Sequence, residues 1–231
     1  MVNLKRALII LSCAILLFVG IFRISYKVDS KILNVIKQYD IRNTVVIDAG
    51  HGGRDGGTTG VDGSCEKMIN LSIALDLYDF LAVSGINVDL TRNGDYELYN
   101  VGEERNKSDL YNRLDYINSK SNAVLISIHQ NHFENENEWG TQIWYSENDE
   151  KSKIFADKIL NSIKQNLQNE NKRVNKPSGD DYYLLYKASV PSVMIECGFM
   201  SNVEENKKLQ DLEYQKDFAF SVLCGICEDI Q

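Results

Sequence analysis

The stretch VVIDAGHGGRDGGTTG, residues 45–60, decides the fold: an apolar run breaks into six glycines around one histidine. An apolar run that ends at glycine is typical of a buried strand, and the glycines allow a sharp turn directly after it. The turn lacks the lysine–serine or lysine–threonine ending of a P-loop, and it does not follow the GxGxxG spacing of dinucleotide-binding loops. We therefore interpret the loop as one that presents His51 to a ligand rather than one that cradles a phosphate.

Strand-like and helix-like runs alternate from this stretch to the end of the chain. The helical run after the glycine loop, SCEKMINLSIALDLYDFLAVSG, ends at Gly85, a natural residue for a helix C-terminus. Strands that alternate with helices of ten or more residues predict a parallel sheet. We expect a single α/β domain over residues 44–231, with a mostly parallel twisted sheet and helices on both faces. Four further runs are predicted as strands: INVDLTR, NAVLISIHQN, TQIWYS and SVMIECG.

The N-terminus predicts export to the far side of a membrane. Lys5 and Arg6 precede sixteen uncharged residues, 7–22, and Arg23 closes the run. That length lies between a signal-peptide core and a full membrane span, and no small-x-small cleavage site follows. We predict an uncleaved signal-anchor helix over residues 1–27, which attaches the protein to the membrane, and a juxtamembrane spacer over residues 28–43.

Composition excludes two functional classes. A net charge of −8 and a pI near 5.0 argue against a nucleic-acid partner, which would require a basic face. Five irregularly spaced cysteines are too few for a disulfide scaffold. We interpret Cys224 and Cys227, in the stretch CGIC, as buried thiols of a C-terminal helix rather than as a redox pair or half a zinc site.

Four residues that can carry chemistry fall where a parallel sheet would bring them together. His51 and His129 follow or end predicted strands, and Glu196 has the same place on the last strand. Glu66 lies in the first turn of the helix after the glycine loop. Functional groups of open α/β sheets gather outside the carboxyl ends of the strands. We therefore expect these four side chains at one edge of the sheet.

Two imidazoles and one carboxylate are the protein ligands of many hydrolytic zinc sites, and the remaining carboxylate can then act as general base. The spacing alone leaves open which glutamate binds the metal. Glu66 could also be a helix N-terminal acid, and Glu196 could form a buried ion pair with Arg92 or Arg113. His132 is a pocket residue at most, because the chain before it is a strand.

Six motifs resemble, in order and spacing, the zinc-dependent N-acetylmuramoyl-L-alanine amidases of the Amidase_3 family, from about Val45 to the C-terminus. They are VVIDAGHGGRDGGTTG, CEKMINLSIALDL with its E-x-x-x-N, LTR, NRLDYIN, SIHQN and PSVMIECGFMSNVEE.

The resemblance implies a chemistry and a role for individual residues. It implies one Zn²⁺ ion bound by His51, Glu66 and His129, with Glu196 as the catalytic acid/base. Asn131 and Arg92 match positions that support the pocket. The implied substrate is peptidoglycan, cleaved at the amide between N-acetylmuramic acid and the L-alanine of the stem peptide.

Two departures from the family pattern indicate which type of amidase the chain resembles. Only QNHFENENEWG separates the second histidine from the next strand, so an autoinhibitory helix is not expected there, and we find no wall-binding repeats. A catalytic domain behind a signal-anchor is most like the spore-cortex, germination-specific (CwlD-type) amidases, which act in muramic-δ-lactam formation. The implied location is extracytoplasmic, in the cell envelope or the forespore intermembrane space, and we hypothesise an exported accessory protein as a partner. Two rivals remain: a zinc peptidase that cuts within the stem peptide, and a non-catalytic wall-binding protein.

Overall fold

Strand β1 (Thr44–Ala49) starts the domain, and all of its residues except the first are buried. The computed structural model describes residues 44–99 and 105–227. The predicted anchor and spacer, residues 1–43, lie outside the described residues. Within these ranges, no helix combines the length and the apolar character needed to cross a bilayer.

The described chain contains six strands and six helices. After β1 come β2 (Val88–Leu90), β3 (Ala123–Asn131), β4 (Gln142–Tyr145), β5 (Lys176–Pro177) and β6 (Ser192–Phe199). The helices are α1 (Glu66–Val83), α2 (Arg105–Asn118), α3 (Glu150–Asn166), α4 (Tyr183–Lys187), α5 (Val203–Leu209) and α6 (Leu212–Ile226). Gly85 follows α1 with a φ of +75°, which confirms the predicted helix end because glycine tolerates this left-handed conformation.

The strands form one sheet in the order β2-β1-β3-β6-β4-β5. The pairs β1–β2, β1–β3 and β3–β6 are parallel, so the carboxyl ends of these four strands meet at one edge. Strand β4 runs antiparallel to β6, and the short β5 is parallel to β4. The expected mostly parallel α/β sheet is confirmed, with β4 and β5 as an oppositely directed extension at one side.

Helices cover both faces of the sheet. Helix α6 packs against both α1 and α3, and α1 contacts β1 and β3. On the opposite face, α2 and α4 contact each other, and Ile117 and Leu184 pack with Val46 and Leu125. Val46 and Leu125 are register partners on β1 and β3, so their side chains point to the same face. The buried layers on both faces hold the carboxyl edge in place.

Two helices near the C-terminus have features that the sequence did not predict. Tyr183 and Tyr186 lie on the short helix α4. The stretch CGIC has a packing role: a Cβ on Gly225 would lie 2.6 Å from Ile159 Cα, so glycine lets α6 approach α3. Cys224 and Cys227 are partly rather than fully buried, and no disulfide joins the described cysteines.

Candidate metal centre

His51 lies two residues beyond the end of β1 with a φ of +64°, a conformation that is rare for a residue other than glycine. Its Nδ1 is 2.8 Å from Asp55 Oδ2, and its Nε2 is 3.3 Å from Glu66 Oε2. The Asp55 carboxylate accepts the Nδ1 proton and so fixes the orientation of the ring, with Nε2 facing Glu66.

Glu66 is the first residue of α1 and only 2% exposed. Its Oε1 lies 3.0 Å from His129 Nδ1 and accepts hydrogen bonds from the Gln130 backbone N–H and the Asn70 amide. Its Oε2 accepts the Thr58 backbone N–H at 2.8 Å. Although burial acts in the opposite direction, hydrogen bonds from His129 and His51 hold the pKa of Glu66 below its usual range. The carboxylate is therefore ionised and fixed between the two imidazoles.

Two glycines permit this close approach. A Cβ on Gly50 would lie 2.3 Å from the ring of His129, and a Cβ on Gly57 would lie 2.6 Å from Glu66 Oε2. Real Cβ atoms do not come so close, so a side chain at either position would displace a member of the cluster. The glycines that looked like a phosphate loop instead make room for the histidines and Glu66.

Glu196 lies beside this cluster, on the neighbouring strand. It is the register partner of His129 in the β3–β6 pair, and its side chain is 8% exposed. Burial raises the pKa of Glu196 to about 7, and Glu66 also raises it, whereas His129 and His51 act in the opposite direction. Its Oε2 is buried and forms no hydrogen bond with the residues that the structure describes. A buried carboxyl group with a free oxygen and a near-neutral pKa is suited to proton transfer.

The alternative ion pairs for Glu196 do not form. Arg113 instead donates to Asp48 Oδ1 at 2.7 Å and to Asp109 at 3.0 Å. Arg92 is 1% exposed and donates to backbone carbonyls of Ala49, Gly50, Lys67 and Gly94. Arg92 thus links the end of β1 and the glycine loop to the first turn of α1. Its hydrogen bonds therefore hold the backbone segments that carry His51 and Glu66, rather than the side chain of Glu196.

Two further candidates follow His129 along the chain. Asn131 is the last residue of β3, and its backbone carbonyl accepts the Met200 N–H at 2.8 Å. His132 is exposed just beyond the strand, outside the group of residues suited to hold an ion. Sequence reasoning missed Asp55, although it stands four residues after His51 inside the quoted loop. It also assigned no role to Asn70, the last residue of E-x-x-x-N, which donates to Glu66 and to the Gly50 carbonyl.

The donor set fits a zinc ion. One ligand atom from each of His51, Glu66 and His129 can be chosen so that all three lie within 4.8 Å of one another. Burial lowers the pKa of His51, but hydrogen bonds to Asp55 and Glu66 outweigh this effect and raise it to about 10. The local field therefore favours positive charge, which either protons or a metal ion can supply. Two imidazoles and one carboxylate match hydrolytic zinc sites, which keep a fourth position open.

Comparison with known proteins identifies the family. Residues 45–228 match the N-acetylmuramoyl-L-alanine amidase family, Amidase_3. A germination-specific N-acetylmuramoyl-L-alanine amidase of Bacillus subtilis is 32% identical over 186 residues, which cover 79% of this chain and 77% of the relative.

Solved structures agree with the family match. The CwlD amidase from Clostridioides difficile, solved in complex with the GerS lipoprotein, superimposes with a TM-score of 0.77 at 38% identity, over 80% of this chain and 97% of that chain. The amidase AmiC2 of Nostoc punctiforme superimposes with a TM-score of 0.70 at 30% identity, over 82% of this chain and 98% of that chain. The chain described here belongs to the N-acetylmuramoyl-L-alanine amidase family and resembles its CwlD-type members.

Proposed function

We propose that this protein is a zinc-dependent amidase that cleaves peptidoglycan between N-acetylmuramic acid and L-alanine. One observation carries the proposal: His51, Glu66 and His129 converge directly beside Glu196, whose buried Oε2 has no hydrogen-bond partner among the described residues. Membership of the N-acetylmuramoyl-L-alanine amidase family supports the amide between muramic acid and L-alanine as the bond that is cleaved. Zinc bound by the three residues would polarise the scissile carbonyl and lower the pKa of water near it.

Glu196 carries out the proton transfers, and neighbouring residues orient the zinc ligands. Glu196 takes a proton from the attacking water as the oxygen bonds to the lactyl carbonyl carbon. The same carboxyl group then donates that proton to the amine of L-alanine as the carbon–nitrogen bond breaks. Water is thereby added across the amide, and Glu196 returns to its starting state. Asp55 holds the orientation of His51, and Asn70 and the Thr58 N–H hold that of Glu66.

The place of action follows from the N-terminus. We propose that residues 1–27 form a signal-anchor, that residues 28–43 form a spacer, and that residues 44–231 form an extracytoplasmic catalytic domain. The uncharged run 7–22 between basic residues supports this arrangement. Protease protection of the tagged chain in intact cells, compared with permeabilised cells, tests it. Degradation of the domain only after permeabilisation of the inner membrane would contradict the proposed side.

The physiological setting we propose is the spore cortex, where removal of stem peptides allows muramic δ-lactam to form. Similarity to the germination-specific relative and to the CwlD amidase supports this setting. Because that CwlD amidase was solved with a lipoprotein, we propose an exported accessory protein as a partner for this chain too.

Muropeptide analysis tests the reaction. The zinc-loaded chain should release intact stem peptides that begin with L-alanine and leave muramic acid without a peptide. The chelated protein should release none. Shortened stems that remain attached to muramic acid would instead indicate a peptidase. Binding to the wall by fully zinc-loaded protein without any product would indicate a non-catalytic wall-binding protein.

A further inference from the structure

A concave site lies on the connection between β3 and β4, and the roles assigned above do not use it. It has a volume of about 500 Å³ and is lined by residues 137–139 and 170–173. We call it the Trp139 pocket. Its volume lies within the range of natural ligand sites. Trp139 is 42% exposed, so much of its indole surface is free to meet a ligand.

The walls of the pocket are held to the strand that carries Glu196. The Glu205 carboxylate accepts the backbone N–H of Gly140 at 2.8 Å and that of Phe199 at 3.0 Å. The Arg173 guanidinium lies 4.4 Å from the centre of the Phe199 ring. Thr141 Oγ1 donates to the Cys197 carbonyl at 2.9 Å. The two connections that line the pocket are therefore fixed to the edge of the sheet by these contacts.

The position of the pocket suits a polymer that passes the metal centre. Trp139 stands three residues before Gln142, and Gln142 is the register partner of Glu196. Three residues span at most roughly 11 Å between Cα atoms. Trp139 therefore lies at the end of β4 that is paired with Glu196, and a glycan strand that extends several sugar units from its cleaved bond toward β4 would reach the pocket.

The charges of the pocket select the chemistry of its ligand. Arg173 is paired with Glu138 and also donates to the Trp139 carbonyl. The other two charged residues of the lining, Glu170 and Lys172, have opposite signs. The pocket thus offers no surplus positive charge to hold the carboxylates of a stem peptide, and the chain as a whole is acidic. An aromatic face surrounded by polar groups fits a neutral sugar, whose ring has apolar faces and hydroxyl edges.

We propose that the Trp139 pocket binds an uncharged N-acetylhexosamine of the glycan strand, beyond the muramic acid at the cleaved bond. This inference rests on the proposed function, since it adds a subsite to the same substrate. Binding there would make a glycan polymer a better substrate than a single muramyl peptide. Trp139 would then determine substrate length.

The kinetic test compares two substrates with the zinc-loaded full-length chain: polymeric peptidoglycan and muramyl dipeptide. Trp139→Ala should raise the KM for the polymer about tenfold more than the KM for muramyl dipeptide, as expected for loss of one aromatic contact. Trp139→Phe should restore part of the difference. Phe133→Ala is the matched control, because Phe133 is 55% exposed on the same connection but does not line the pocket.

The binding test uses chitotetraose, a neutral N-acetylglucosamine tetramer, titrated by NMR or calorimetry. The wild-type chain and Phe133→Ala should bind it, and Trp139→Ala should not. If the wild type cleaves both substrates while Trp139→Ala keeps their KM ratio and chitotetraose does not bind, the subsite is wrong and the amidase proposal stands. If the wild type cleaves neither substrate, the amidase proposal fails and the chitotetraose titration alone decides the subsite. Binding of a free stem peptide in place of the sugar would overturn the ligand assignment.

Discussion

Two buried carboxyl groups on the same sheet, Asp48 and Glu196, differ in almost every contact. Asp48 accepts hydrogen bonds from Arg113, Thr91 and Ser127. Burial alone would raise its pKa, but Arg113, followed by the two hydroxyl groups, lowers it to about 2. Burial raises the pKa of Glu196 to about 7, and its Oε2 has no hydrogen-bond partner among the described residues.

This difference separates a structural acid, Asp48, from the group proposed for proton transfer, Glu196. Asp48 is ionised at every physiological pH and forms a fixed charge pair beneath the metal centre. Arg113, which it holds, also donates to the carbonyls of Ala49 and His51. Glu196 Oε2 has no such partner within the described part of the chain, and with a pKa of about 7 the carboxyl group can gain and lose a proton near neutral pH. Burial is common to both groups, and hydrogen-bond partners decide which role each one takes.

The largest expected effect comes from removing the proton-transfer group. Glu196→Gln keeps the volume of the side chain, and we expect it to lower kcat about 10³-fold because general acid–base catalysis is lost. Zinc content and melting temperature should remain close to wild type, because no proposed ligand changes. Product release measured by mass spectrometry and metal content measured by atomic emission check both parts. His129→Ala should lose zinc and activity together, and equal zinc loss in the two variants would overturn the assignment of the glutamates.

Removing the structural acid should affect folding instead. Asp48→Asn leaves Arg113 buried without its main partner, and we expect the free energy of unfolding to fall by about 3–5 kcal/mol. Denaturant titration of the full-length chain measures it. Asp109→Asn, which removes the less buried partner of the same arginine, should cost less. A smaller loss of stability for Asp48→Asn than for Asp109→Asn would contradict the structural role assigned to Asp48.

Acid should reveal the same structural role without a mutation. The pKa of Asp48 is about 2 in the folded state, against about 3.9 in an unfolded chain. A lowered pKa contributes stability that is present above about pH 4 and is lost as the pH falls toward 2. The contribution of this group is about 2–3 kcal/mol. Urea midpoints of wild type and Asp48→Asn should converge over this window, and midpoints that stay equally far apart at pH 2 and pH 6 would contradict the linkage.

The smallest effect concerns a third carboxylate, Asp55, which is exposed but bound to His51. Asp55→Asn weakens the hydrogen bond that orients the imidazole, and we expect zinc affinity to fall about tenfold. Competition with a zinc chelator measures the affinity, and the NMR shifts of the ring nitrogens report the tautomer of His51. Glu213→Gln, a change of an exposed carboxylate on α6, is the matched control. If the zinc affinity and the tautomer of His51 do not change, the hydrogen bond to Asp55 does not orient His51 for metal binding.

Local sequence patterns predicted much of the domain because hydrophobic periodicity and turn residues act over short distances. The alternation of strands and helices, the end of α1 before Gly85 and the placement of His51, His129 and Glu196 at strand ends all follow from such patterns. The antiparallel direction of β4 and the short elements β5 and α4 were not predicted. Strand direction depends on which strand a segment pairs with, and five residues of helix leave almost no periodic signal.

The candidate site was also predicted only in part from the sequence. The residue types and their order predicted two histidines and two glutamates at one sheet edge. The sequence alone left open which glutamate joins the histidines, and it suggested arginine partners for Glu196 that do not form. The answer depends on distances between residues such as Glu66 and His129, which are 63 positions apart. No local pattern specifies such a distance.

The sequence by itself determined the alternating α/β pattern, the glycine loop around His51 and the chemical identity of the site residues, because these depend on neighbours along the chain. The tertiary structure alone decided that Gly50 and Gly57 make room for the ring of His129 and the carboxylate of Glu66. It also decided that Asp48 is fully paired while Glu196 is not. The physical reason is that burial and hydrogen-bond partners come from strands and helices far apart in sequence, and these contacts set both the pKa and the role of a buried acid.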